Sequence, residues 1–493
     1  MKTAPQLRST ASPALVAAVV ALLLVPPVAV AQDEPTDFER AVELADQGKW
    51  AEAKAAFLKV LDANPEEAAP LSWLGYVCYQ LQQHDEAIDY LKRALAKDPD
   101  SPTDYNNLGN AYFAKGDLDA AAASYRRALE RNEDYFEARH NLANVCARQE
   151  NWTVAFNEYN RAIGLNDRDA EVHRDFGRAL ERFGDTSKAI REYSAALALV
   201  GEDKELSTAL GTLYLREQNL DQAKRHYQTA LGADENIFEA QLGLGIVSYS
   251  RGEYEAALPR LQKAAELDAN QLLPHHYLGL TYAALRRLDE AQAACEAALD
   301  ISPDDAESLN NLGWVLFQRQ DYEAALEKFR AAAQARQGFF EPDLNIALTL
   351  EQAGEKERAL TQWRALVAEY PSRASAHCGL ANAYHDAKRL DDALAEYLIC
   401  LDLDATNADA HNNVGLIYLD RGSLAEAEQH FKKALHINDK YVYALNNLGV
   451  VYEKRNQPEE AIKRYEQALA IDPNYQHAKE NLARLKGEEG GGG

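Results

Sequence analysis

Basic residues are in short supply in this chain. Its 493 residues include 52 Lys or Arg against 78 Asp or Glu, a net charge of −26. That deficit excludes the broad basic face that nucleic acid or an anionic membrane surface requires. Cysteine is scarcer still, and an odd count of five excludes a fully paired disulfide framework. The single Met is the initiator. No phosphate loop, nucleophile elbow or pair of catalytic acids occurs, so neither catalysis nor a cofactor is expected. Beyond the first 31 residues no apolar run is long enough to span a membrane. What remains is 47% hydrophobic and 26% charged, the composition of an ordered chain.

Residues 1–31 stand apart. They hold Lys2 and Arg8 and no acid, an apolar run over 14–25, Pro26-Pro27, and then Ala29-Val30-Ala31 before Gln32. A basic start, a short apolar core, a helix break and a small-x-small site predict a secretory signal peptide cleaved after Ala31. The alternative is an uncleaved membrane anchor, which the two prolines disfavour. No Cys follows the cleavage site, so a lipoprotein anchor is not supported. Losing Lys2 and Arg8 would take the net charge from −26 to −28.

From Glu34 the chain repeats itself every 34 residues, thirteen times, without an insertion. Position 8 of the unit is Gly or Ala in all thirteen copies, from Ala41 to Gly449, and position 20 is always Ala, from Ala53 to Ala461. Position 24 is large and mostly aromatic, as in Phe57, Tyr125, Tyr193 and Trp363. Apolar residues fall at helical spacing in two runs, separated near position 15 by a break that is often Gly, as at Gly116 and Gly354. Each unit therefore reads as helix, turn, helix. One such pair cannot bury its apolar side alone, so neighbours must stack.

The pattern resembles the tetratricopeptide repeat (TPR) family over residues 34–475. Residues 476–486 repeat a first helix without its partner and read as a capping helix, and 487–493 as a flexible Gly-rich tail. The resemblance implies an all-α, right-handed α-solenoid of about thirteen units, whose first helices line a concave groove that binds extended peptides or protein partners.

Three sets of residues fall at positions that the resemblance places in the groove. Position 6 is Asn at Asn107, Asn141, Asn311, Asn345, Asn413, Asn447 and, in the cap, Asn481. A column of amides can pair with a peptide backbone whatever its sequence. It is similar to the ladder in the superhelix of O-linked N-acetylglucosamine transferases. Here it is interrupted at Asp175, Ala209, Gly243, Tyr277 and Gly379, and no glycosyltransferase sequence accompanies it. The competing reading is that these Asn satisfy local groups within the repeat. Repeat 5 places Arg174, Arg178 and Arg182 at i, i+4 and i+8, one face of one helix, with Arg148 and Arg216 in the flanking repeats. Clustered guanidinium groups in so acidic a chain point to an anion site for an acidic segment or C-terminal carboxylate. Ordinary surface pairing with Glu171 and Glu181 is the alternative. Finally Leu242, Ile246, Tyr249, Leu280, Trp314 and Phe317 form a candidate apolar stripe.

His173, His275, His377 and His411 all sit at position 4 of different repeats, too far apart to share a metal. Cys378, Asn382 and His385 share a face but offer no third strong ligand, so no metal is expected. All five Cys are expected to be reduced packing residues, Cys378 with Cys400 being the one conceivable pair. Pro259 falls at position 22, inside a second helix, and marks repeat 7 as a local soft point. The sequence thus predicts a non-catalytic, periplasmic or secreted scaffold for protein or peptide partners, without nucleic acid or an integral membrane domain. The alternative is a targeting subunit of an envelope enzyme or export complex, held at the membrane by residues 1–31.

Overall fold

A computed structural model describes residues 36–487. The expected signal peptide at 1–31 and the tail beyond 487 lie outside the described residues. Among the described residues every regular element is an α-helix, 27 in all. They alternate along the chain as the first and second helices of thirteen repeats, from Asp37–Asp46 and Trp50–Ala63 to Val442–Lys454 and Pro458–Ile471, and end on the cap Gln476–Lys486. The chain divides into two compact units, one up to Val247 and one from Ser248.

The turn inside each repeat has one cause. Position 15 is left-handed in all thirteen repeats: six times it is Gly, as at Gly116 (φ 81°), and seven times a larger residue, as at Gln320 (φ 66°) or Lys388 (φ 61°). The next residue caps the second helix. Asp117, Asp185, Asn219 and Asp321 each accept the backbone N–H three residues on, at Ala120, Lys188, Gln222 and Ala324. The reversal is thus a left-handed residue followed by an N-cap.

Packing follows from positions 6, 8, 20 and 24. Ala at 20 is 0% exposed at Ala53, Ala121 and Ala427 alike, because the two helices of a repeat touch there. The ring at 24 lies against position 8 of its own repeat: a Cβ on Gly177 would stand 2.6 Å from Tyr193, and one on Gly211 2.7 Å from Tyr227. The same ring reaches the following repeat at position 6. Gly243 meets Tyr227 and Gly379 meets Trp363, too closely in both cases for a Cβ. That contact explains two of the interruptions in the Asn column. Each buried ring adds about 2–3 kcal/mol of apolar burial, so every repeat is anchored mainly by its neighbours.

Pro259 lies within the helix Tyr254–Leu267, past its first turn. The carbonyl of Glu255 therefore loses its helical donor, but both residues are exposed and water can replace it.

One expectation is corrected. Cys378 and Cys400 form a disulfide across the two helices of repeat 11, with Cα atoms 5.4 Å apart. Cys400 stands at position 27, where most repeats put Ala against the first helix, and Cys378 at position 5 faces it. Packing places the pair within bonding reach. The other three, Cys78, Cys146 and Cys295, are buried free thiols. Burial pushes the Cys78 thiol up to about 11 and that of Cys295 to about 12, so both resist oxidation. The Cys378–Asn382–His385 face is thereby excluded as a metal site, and no cluster of three metal-ligating side chains occurs among the described residues.

Candidate peptide-binding site

The arginines belong to the first helices of repeats 4, 5 and 6, Phe136–Arg148, Ala170–Phe183 and Lys204–Arg216. The structure divides the five into two groups. Arg148, Arg178 and Arg182 line one cavity of about 410 Å³, with Phe113, Asn144, Ala147, Tyr159, Asp175 and Ala179. Arg174 turns away to Asp203, the N-cap of the next repeat, at 2.5 Å. Arg216 lies 3.9 Å from Glu181, which also accepts from the Tyr193 hydroxyl. Arg174 therefore ties neighbouring repeats together, Arg216 makes only a long approach to its neighbour, and neither lines the cavity.

The cavity is held by a polar network. Asp175 takes Nε2 of His140 at 3.0 Å, the amide of Asn144 at 3.1 Å and the guanidinium of Arg178 at 2.9 Å. Burial opposes its ionisation, but the His140 and Asn144 hydrogen bonds and the charges of His140 and Arg178 outweigh this and hold the carboxyl below its usual range. Asn144 is fixed in turn by the Tyr159 hydroxyl. Around the rim, Arg148 lies 4.4 Å over Phe113 and Arg182 5.7 Å over Trp152. Arg182 has only a 3.9 Å approach to Glu150, and Arg178 stays 62% exposed. Three guanidinium groups thus face a cavity with a single carboxylate, itself already bonded.

The Asn column plays a different part from the one the sequence suggests. Asn141, Asn345, Asn447 and Asn481 each donate to the Asn at position 5 of the preceding repeat, Asn106, Asn310, Asn412 and Asn446, at 3.0–3.1 Å. Asn413 donates to Tyr397 at 3.0 Å, and Asn311 lies 3.4 Å from His276. Asn107 is 1% exposed and its amide has no protein partner. Repeat 2 offers Ser72 at position 5, and that hydroxyl bonds Asp104 instead at 2.7 Å. The column is therefore chiefly an inter-repeat clamp and not a ladder of free donors.

The apolar stripe is uneven. Leu242 is 8% exposed and belongs to the core, so its assignment to the binding surface is corrected. Ile246, Tyr249, Leu280 and Phe317 are half-buried. Tyr249 packs edge-on to Tyr277 at 5.7 Å. Trp314 alone is well exposed, at 39%, stacked 5.1 Å from Phe317. A second cavity, about 450 Å³, lies among Arg330, Asp343, Ile346, Leu350 and Arg358 in repeats 9 and 10. Burial and then Glu369 push the Asp343 carboxyl up.

The position-4 histidines are structural. His173 and His377 hold Glu192 and Glu396 at 2.8 and 2.6 Å, and the backbone carbonyl six residues earlier at 3.3 and 3.0 Å. In repeat 12 the carboxylate is replaced, and His411 meets His430 at 3.1 Å.

Sequence reasoning missed an aromatic cluster beside the arginine cavity. Trp152, Phe156 and Phe183 pack at 5.3–6.0 Å, and Phe183 is 52% exposed. The signal was present: position 14 holds Phe only here and elsewhere is mostly polar or small.

Helical pairs stacked within each unit, with rings locked between neighbours, define an all-α repeat protein. TPR family models match at 38–102, 208–271 and 344–408, at 270–338 and 406–474, and at 109–150. The chain belongs to the tetratricopeptide repeat family, and as such a solenoid it is a scaffold for protein–protein interaction. No curated protein matches it. Among solved structures it is similar to yeast Tom70, at 17% identity over 85% of this chain and 95% of that one, with a TM-score of 0.43. It is also similar to the APC/C hetero-tetramer Cut9–Hcn1, at 16% identity over 91% of this chain and 89% of that chain, with a TM-score of 0.41.

Proposed function

We propose that this chain is an exported, non-catalytic scaffold that captures a carboxylate of its protein partner in the cavity of Arg148, Arg178 and Arg182. The observation that carries the reading is the convergence of three guanidinium groups on one cavity in a chain of net charge −26. Asp175 meets Arg178 and Glu150 stands 3.9 Å from Arg182, so the three guanidinium groups outnumber the carboxylates beside them, and the forked geometry of Arg suits a further carboxylate. Export is supported by the leader-like 1–31 segment and by the Cys378–Cys400 disulfide, a bond that persists in oxidising compartments.

The test is the Arg178→Ala, Arg182→Ala double variant against the partner captured from the cell envelope. Each charge-assisted hydrogen bond lost costs about 1.5–3 kcal/mol. Binding should weaken at least about tenfold with the fold intact, and wild-type binding should weaken as salt rises. Wild-type affinity in the double variant refutes the site. Mass spectrometry of the purified chain, beginning at Gln32 or at Met1, decides between export and anchoring.

A further inference from the structure

We infer that the aromatic cluster of Trp152, Phe156 and the exposed Phe183 is a second subsite, which receives a bulky apolar side chain two residues from the carboxylate held by the arginines. The inference rests on the anion site proposed above and adds to it the sequence class of the partner: an acidic residue and an aromatic or large aliphatic residue at i and i+2 of an extended segment.

Continuity comes from Arg182. Its guanidinium lines the cavity and also lies 5.7 Å over the Trp152 ring. Trp152 lies 5.8 Å from Phe183, and Phe156 5.3 Å from Phe183 in an edge-on contact. Trp152 and Phe156 are anchored against the core around Tyr159 and Phe176, whereas Phe183 projects with 52% of its surface in water. Phe183 also lines a separate open depression of about 460 Å³ with Gly184, Asp185, Thr186 and Ser187.

The repeat does not require a ring at position 14. The position is polar at Gln47, Lys115, Gln149, Glu217, Arg319 and Arg455 and at most Leu elsewhere, as at Leu81 and Leu285, and the fold is the same there. A half-exposed Phe adds little to stability and costs solubility, so its use lies in what it meets. Side chains at i and i+2 of an extended peptide point the same way about 6.5–7 Å apart. Arg182 touches both the cavity and the Trp152 ring, so a segment that brings a carboxylate to Arg182 carries the side chain two residues on toward the aromatic shelf. The charge of the cavity selects the occupant: a peptide with a carboxylate at i fits, and one with Lys or Arg there is repelled.

The test uses the full chain and two capped peptides in a Ser/Gly frame, one carrying Asp-Gly-Phe and the other Asp-Gly-Ala, titrated by calorimetry. The Phe peptide should bind about tenfold or more tightly than the Ala peptide. Phe183→Gln should cut that preference below about threefold and leave the Ala peptide unchanged, while Arg178→Ala, Arg182→Ala should weaken both. Phe183 lies outside the core, so the variant keeps its fold, which circular dichroism checks. If the arginines matter but Phe and Ala peptides bind alike, or if Phe183→Gln keeps the preference, the shelf is overturned and the anion site stands. If the arginine variant binds both peptides like wild type, or wild type binds neither, the anion site fails and the inference falls with it.

Discussion

The Cys378–Cys400 bond should set the local stability of repeat 11. It closes a loop across a sequence separation of 22 residues within one helical pair. In the chain-entropy account, a closed loop of that size removes about 3 kcal/mol of freedom from the opened state. In a stacked array, stability is assigned repeat by repeat with nearest-neighbour terms, so most of this effect should appear in repeat 11 and not be spread over the chain. The perturbation is Cys378→Ser with Cys400→Ala. Ser already occupies position 5 in repeat 2, at Ser72, and Ala occupies position 27 in most repeats, so each replacement suits its site. Amide hydrogen exchange then reads the opening of 374–403 directly. A loss of about 3 kcal/mol corresponds to roughly a hundredfold faster exchange in the slowest amides of that repeat. Repeats 3 and 4 should be unchanged, and reduction of the wild-type chain should reproduce the pattern. If repeat 11 exchanges within threefold of wild type after the bond is removed, the cross-link is not what holds the two helices together and the reasoning fails.

Other outcomes follow from the same packing. Repeat 7 should exchange faster than repeats 3 and 12, and Pro259→Ala should restore the Glu255 helical bond, stabilising the repeat by about 1–3 kcal/mol in local exchange; slower exchange in repeat 7 than in repeats 3 and 12 refutes this. Lys388→Gly at the left-handed turn of repeat 11 should stabilise by about 0.5–1 kcal/mol in urea unfolding, whereas Gly354→Val should destabilise by more than about 1 kcal/mol. The His411–His430 pair should make repeat 12 sensitive to acid. Burial, then the neighbouring His411 and Lys433, hold the His430 imidazole down at about 4, and burial and Lys433 lower His411 as well. The unfolded chain takes up protons near the ordinary value of 6.5 while the folded pair does not, so stability falls as pH drops from about 6.5 to about 4. His430→Glu installs the His–carboxylate pair of repeats 5 and 11 and should abolish this extra loss relative to wild type in exchange measured at pH 7 and 4.5.

The fold was legible because its determinants are small, local and repeated. Ala at position 20 and Gly or Ala at position 8 report helix contact directly, and thirteen copies of each leave no room for another period. The left-handed turn was half-visible: Gly at position 15 announces it in six repeats, but Gln82, Glu150 and Lys388 adopt it under tertiary constraint with no local signal. The Cys378–Cys400 pair could be named from sequence but its formation could not, because spacing alone does not say that positions 5 and 27 face each other.

The candidate site was less legible, and the reason lies in what a repeat sequence conceals. Position 6 repeats Asn, but it is also where the ring of the preceding repeat arrives, as Gly243 and Gly379 show, and where position 5 of that repeat offers an acceptor. A residue that recurs is therefore first a record of stacking, and only second a candidate for binding. The informative residues are those that break the pattern without a packing reason. Arg148, Arg178 and Arg182 break it in charge, and Phe183 breaks it in size, as a ring where other repeats carry at most Leu. Arg174 shares a helix face with two of these arginines, yet Asp203 caps the next repeat and draws it away. Helical spacing could gather the arginines, but only the neighbouring repeat's partners could sort them into those that bind the array together and those left facing a cavity.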